Sequence, residues 1–255
     1  MTRRSILFAA LLGGAFTLML AFADPAMAQR LTLDAGGQGT GTLAGRVVQL
    51  VGLMTVLSIA PAILIMMTSF TRIVVVLSML RSAIGIQTTP PNVVMLSLAL
   101  FLTGFIMAPV LNKSYEEGIR PLLDERIDET EAFDKAITPF KQFMLQHTRR
   151  QDIQLFADVA KAGPFATPAD VPIQIIVPSF IISELRRAFE IGFLLFIPFL
   201  IIDMVVASIL MSMGMMMLPP ITVSLPFKII FFVLVDGWYL IAGSLIRSYG
   251  GIAGG

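Results

Sequence analysis

The residues of this chain most able to do chemistry are ionisable side chains set inside apolar runs. Pro226 to Trp238 reads Pro-Phe-Lys-Ile-Ile-Phe-Phe-Val-Leu-Val-Asp-Gly-Trp, so Lys228 and Asp236 stand in a stretch greasy enough for a bilayer. Asp203 is the one charge between Ile191 and Leu218, and Glu184 lies in the run from Pro178 to Phe193. A charge in such surroundings is costly unless it is paired or hydrated, so each marks a functional or assembly site. Three kinds of chemistry are open to them. Asp203 and Asp236 could be the two carboxylates of an intramembrane aspartyl protease, like charges splitting their pKa values, but neither has the Gly-x-Gly-Asp setting of that class. Asp203, Asp236 and Lys228 could form the relay of a proton- or ion-coupled transporter, although no inverted repeat is visible. The third possibility is neutralisation: Lys228 pairs with Glu184 or Asp236 of the same or an adjacent subunit, and Arg149 is a further partner for an acid.

Composition supplies the setting. Hydrophobic residues make up 56% of the 255 and charged ones 14%, with a mean hydropathy of +0.85. Soluble domains carry roughly 25% charged residues, so this is a membrane protein with a modest polar part. A net charge of +1 gives no reason to expect nucleic acid. There is no cysteine and a single histidine, His147, so thiolate and imidazole metal sites are not expected. No motif names a cofactor or a catalytic residue.

The elements that must position these charges follow along the chain. Residues 1–28 read as a signal peptide: Arg3 and Arg4, an apolar core from Ile6 to Phe22, and Ala26-Met27-Ala28 before Gln29. Residues 29–46 form a Gly-rich linker. Residues 47–111 make a first hydrophobic hairpin, with spans at Val47 to Met67, kinked by Pro61, and at Asn92 to Leu111. The connector between them holds Arg72 and Arg81 without an acid, as cytoplasmic loops do. Residues 112–172 are a charged helical region placed outside the cytoplasm. Eight basic and eleven acidic residues fall between Lys113 and Asp170, and Phe140, Phe143, Met144, His147, Phe156 and Val159 have the spacing of one amphipathic helix after Pro139. This region is too short for a core of its own and should pack on neighbouring subunits or on the hydrophobic helices. Residues 173–249 form a second hydrophobic hairpin, and residues 250–255 a tail. Pro178 suits the first turn of its opening helix. Glu190 and Glu184 stand at ion-pair spacing from Arg186 and Arg187, and the helix ends at five methionines between Met211 and Met217. The fold class expected is an all-α membrane protein of long, kinked hydrophobic helices.

Two long segments, Pro178 to Phe193 and Pro226 to Trp238, resemble in order the signature segments of the FliP family of flagellar biosynthesis proteins. The likeness runs from about Leu50 to Tyr249 and includes Thr68-Ser-Phe-Thr-Arg72, Gln87-Thr-Thr-Pro-Pro91 and Gly214-Met-Met-Met217. The resemblance implies a core subunit of the export gate of a flagellar type III secretion system in the inner membrane and basal body. It implies several copies, five by likeness, assembled with FliQ and FliR near FlhB, FlhA and the assembly factor FliO. Unfolded flagellar proteins would pass through. It further implies that Met215, Met216 and Met217 form a gasket of the pore, that the helices are bent hairpins wound around that pore, and that Glu184, Lys228, Asp236, Arg149 and Asp203 are buried or inter-subunit charges. Phe143 and Phe156 are expected at subunit contacts.

Overall fold

Apolar runs interrupted by proline and glycine become helices separated by short breaks, and the computed structural model shows how they stack. It describes residues 43–250 apart from 87, 164, 166, 216 and 217. The expected signal peptide, most of the linker and the tail lie outside the described residues. Among those described, all regular structure is helical. Contacts divide the chain after Gly52; Leu43 to Gly52 is the opening of the first helix, and the packing below concerns Leu53 onward.

Helix α1 (Leu43–Met66) carries Pro61 within it. Helix α2 (Phe70–Ile84) follows at once, where the sequence reading placed a cytoplasmic connector. The reason is amphipathy: Ile73, Val76, Leu77, Leu80 and Ala83 bury one stripe, and Gly85, with φ 89°, closes the helix in the left-handed conformation that glycine accepts without strain. Helix α3 (Asn92–Ser114) runs into a π-turn (Tyr115–Ile119) and the short α4 (Arg120–Leu123). At the π-turn Ser114 donates to the Ala136 carbonyl, and Gly118 lets the backbone approach Ala136 more closely than any Cβ would permit.

Helix α5 (Glu129–His147) starts at Asp128, whose carboxylate accepts the Glu131 amide at 2.7 Å. Helix α6 (Arg150–Val159) follows after a break at Thr148 and Arg149. The single amphipathic helix expected from Pro139 to Gly163 is therefore two, and Pro139 lies inside α5 rather than opening it. Helix α7 (Ile173–Ser212) takes in both Pro178 and Pro198. Pro178 was expected in a first turn; instead Pro172 precedes the helix and the segments before and after Glu190 fuse. At 1.5 Å per residue its 40 residues span about 60 Å, twice the roughly 30 Å of a hydrocarbon core. Helix α8 (Pro220–Leu234) and α9 (Gly237–Arg247) meet at a 63° bend around Asp236.

Two helical stretches among the described residues, Asn92–Leu123 and Ile173–Ser212, are long and apolar enough to cross a bilayer, and α8 with α9 makes a third if the bent pair is one span. This is an all-α membrane protein. One core joins α2, α3, α7, α8 and α9 through residues such as Ile73, Leu80, Ala99, Ala188, Phe199, Phe232 and Leu245. A second joins Met67 and Met107 to Phe140, Phe143 and Met144 of α5, Ala157 of α6, and Ile176 and Phe180 of α7. The charged region thus packs on the chain's own hydrophobic helices, one of the two expected outcomes.

Candidate functional site

Helix α2 lies along α7, its most extensive partner, with a buried ion pair at one end and a partly buried one at the other. Near its N-terminus the Arg72 side chain, 1% exposed, meets Glu184 of α7, 0% exposed. The Arg72 Nε donates to Glu184 Oε2 at 2.8 Å and a terminal nitrogen donates to Oε1, a bidentate arrangement suited to guanidinium and carboxylate. The other terminal nitrogen donates to the Ser248 hydroxyl at 2.9 Å and to its carbonyl at 3.2 Å. Tyr249 donates its hydroxyl to Glu184, and Arg72 lies 3.8 Å above the Tyr249 ring. Burial and the Glu184 charge hold the Tyr249 phenol above its ordinary value, so it remains a donor.

Near the C-terminus of α2, Lys228 of α8 is 3% exposed. Its ammonium lies 2.6 Å from Asp203 Oδ2 of α7 and 3.3 Å from the Ala83 carbonyl, one of the last acceptors of α2. A cation there suits the negative end of the helix dipole. Ser224 donates to the other Asp203 oxygen, and the Ile221 carbonyl of its own helix, 3.0 Å away, is the alternative acceptor for the same proton. The two pairs are about 17 Å apart along α2, judged by helical rise.

A third cluster secures the break between α5 and α6. Arg149 donates to Asp152 through Nε at 3.0 Å and a terminal nitrogen at 2.8 Å, and Ser183 of α7 donates to the same carboxylate. The Arg149 amide in turn reaches the Ser183 hydroxyl at 3.1 Å. Beside it, His147 packs against Phe143 and Tyr249. Burial, then the positive charges of Arg72 and Arg187, lower its pKa from 6.5 to about 4.

These positions correct several expectations. Lys228 pairs with Asp203, not with Glu184 or Asp236. Glu184 serves Arg72 and not Arg187, because its place on α7 turns it inward while Arg187 is exposed. Of the expected pairs on that helix only Arg186 with Glu190 forms. Asp236 occupies the exposed bend, with φ 51°. Asp203 and Asp236 therefore share no site. Phe143 is buried within the chain, whereas Phe156 packs on the same core and stays partly exposed. Met215 is 41% exposed just beyond α7, while Met216 and Met217 lie outside the described residues.

The sequence reading missed Arg72, Asp152 and Tyr249 as members of the site. The setting of Arg72 between two apolar runs reads as that of a loop cation; the apolar residues after it, at helical spacing, are the available signal. Nothing local pointed from Tyr249 to Glu184, 65 positions away. Among the described residues the buried charges Arg72, Asp152, Glu184 and Lys228 are each paired within the chain, and the pairs of Arg72 and Lys228 clamp α2, α7 and α8 together.

Residues 53–245 match the FliP family. The flagellar biosynthetic protein FliP of Caulobacter vibrioides is 58% identical over 99% of this chain and 94% of its own length. That of Bacillus subtilis is 57% identical over 79% of this chain and 91% of its own, and that of Aquifex aeolicus 50% identical over 83% and 89%.

Proposed function

This chain belongs to the FliP family, and from that premise we propose that it is a core subunit of the flagellar type III export gate. In this reading several copies, five by likeness, assemble with FliQ and FliR, near FlhB, FlhA and FliO, into a conduit in the inner membrane and basal body for unfolded flagellar proteins. The observation that carries it is the pair of clamps, Arg72 with Glu184 and Lys228 with Asp203. They keep a bent, proline-containing hairpin in one shape while apolar side chains such as Phe193, Leu200, Met204 and Leu234 stay exposed on its outer faces. A large exposed apolar surface on a fixed frame suits burial against sister chains and lipid. Residues 1–28 would be removed and residues 112–172 would stand on the periplasmic side. Asp236, exposed at a bend in an apolar segment, is the charge left to meet a neighbouring chain. Met215, Met216 and Met217 would gather at the mouth of the conduit, where unbranched, polarizable side chains can close and repack around passing chains.

Deleting the gene with its neighbours intact should abolish swarming and the secretion of axial proteins, and complementation should restore both. Retained motility would overturn the reading. Replacing Met215, Met216 and Met217 together with alanine should raise small-molecule leakage before export stops. Unchanged permeability would remove the gasket from the proposal.

A further inference from the structure

Where α2 ends and α3 begins, the chain encloses a cavity of about 250 Å³ open on one side. Leu80 of α2, Met95 of α3, Ile229 and Phe232 of α8 and Trp238 of α9 are among the residues that line it. Arg81 also lines it. Unlike the other clamping cations, Arg81 faces no carboxylate in any ion pair among the described residues, and its side chain donates only to the Asn92 amide oxygen. The C-terminal position on α2 favours a cation, yet the guanidinium bonds to Asn92 and not to the helix carbonyls. A greasy cavity with a single charge of one sign at its lining complements an amphiphile with an apolar tail and an opposite head. In a membrane protein that amphiphile is an anionic phospholipid, since basic pockets between membrane helices take such head groups.

The geometry points to a binding site for one anionic phospholipid, its acyl chain between Leu80, Met95, Ile229 and Phe232 and its phosphate on Arg81. This depends on the membrane setting and not on export.

Trp238 is the chain's one tryptophan, so its fluorescence reports this site without labelling. The full chain is reconstituted in phosphatidylcholine vesicles containing a small, matched fraction of either dibrominated phosphatidylglycerol or dibrominated phosphatidylcholine. The brominated anionic lipid should quench Trp238 at about a fivefold lower mole fraction, as for one basic residue near an anionic head group. Inorganic phosphate in the buffer should not reverse the difference, which separates a lipid from a free anion. Arg81→Lys should retain most of the preference. Arg81→Gln should keep the wild-type quenching by brominated phosphatidylcholine, showing the fold intact, while losing the anionic excess. Equal quenching by the two lipids in the wild type, or a preference untouched in Arg81→Gln, overturns the site. Quenching by neither lipid, as a protein segment filling the cavity would cause, overturns it as well.

Discussion

At the scale of single residues, a buried charge pair is sensitive to the loss of either partner, because the other would be stranded. Removing one member of a buried pair costs about 3–5 kcal/mol, whereas replacing both with apolar residues of similar volume is close to neutral. Arg72→Met should therefore destabilise the detergent-solubilised chain by about that amount in a denaturant titration, and Arg72→Met with Glu184→Leu should recover most of the loss. A double variant no better than the single would show that Ser248 and Tyr249, not the ion pair, carry the contact. His147 gives a separate, pH-dependent prediction. Its folded pKa of about 4 lies below the ordinary 6.5, so above 6.5 neither state binds the proton and the fold keeps its full stability. As pH falls from 6.5 toward 4 the unfolded chain takes up a proton that the fold refuses, and stability declines. The melting temperature should drop between pH 7 and pH 5, and His147→Phe should flatten that part of the profile.

At the scale of helices, close approach depends on where a side chain is missing. Gly192 of α7 lies against Met79 of α2 so tightly that a Cβ would overlap the thioether, whereas Gly104 of α3 has open space around the same position. Met79 offers only the mobile end of its side chain there and can turn aside, whereas a Cβ on Gly118 would meet the Ala136 backbone, so Gly118→Ala should lower stability by about 1–3 kcal/mol through overpacking, while Gly104→Ala should be neutral or add up to about 1 kcal/mol by helix propensity. Equal effects at Gly118 and Gly104, read in the same thermal unfolding experiment, would mean that the π-turn and α5 are not held at the separation described. The break between α8 and α9 rests on a similar contact: Gly237 admits the Phe232 ring, which also meets Trp238 edge-on with centroids 5.3 Å apart.

For the whole molecule, the buried charges among the described residues are met within the chain while many large apolar side chains of α3, α7 and α8 stay exposed, so assembly should depend on surface groups that the isolated chain does not need. Asp236 is the sharpest of these. Asn tolerates the left-handed backbone that Asp236 adopts, so Asp236→Asn should leave monomer stability within about 0.5 kcal/mol. It should nonetheless reduce the multi-subunit species on native gels and shrink the swarming halo. Loss of monomer stability, or wild-type assembly, would place the role of Asp236 inside the chain or remove it.

Composition and local pattern were enough to establish an all-helical membrane protein, its apolar segments, the charged region between them and the charges that had to be neutralised, because hydropathy and helical periodicity are properties of neighbours in the chain. They were also enough to resemble FliP, through Pro178 to Phe193 and Pro226 to Trp238. Tertiary structure alone decided which charge meets which. Arg72 with Glu184 and Lys228 with Asp203 are set by the way α2 and α8 lie against α7, and pairs 112 and 25 positions apart leave no trace in local spacing. The same holds for Arg72 itself: a cation beside an apolar run reads as a loop residue until a distant carboxylate makes its burial affordable.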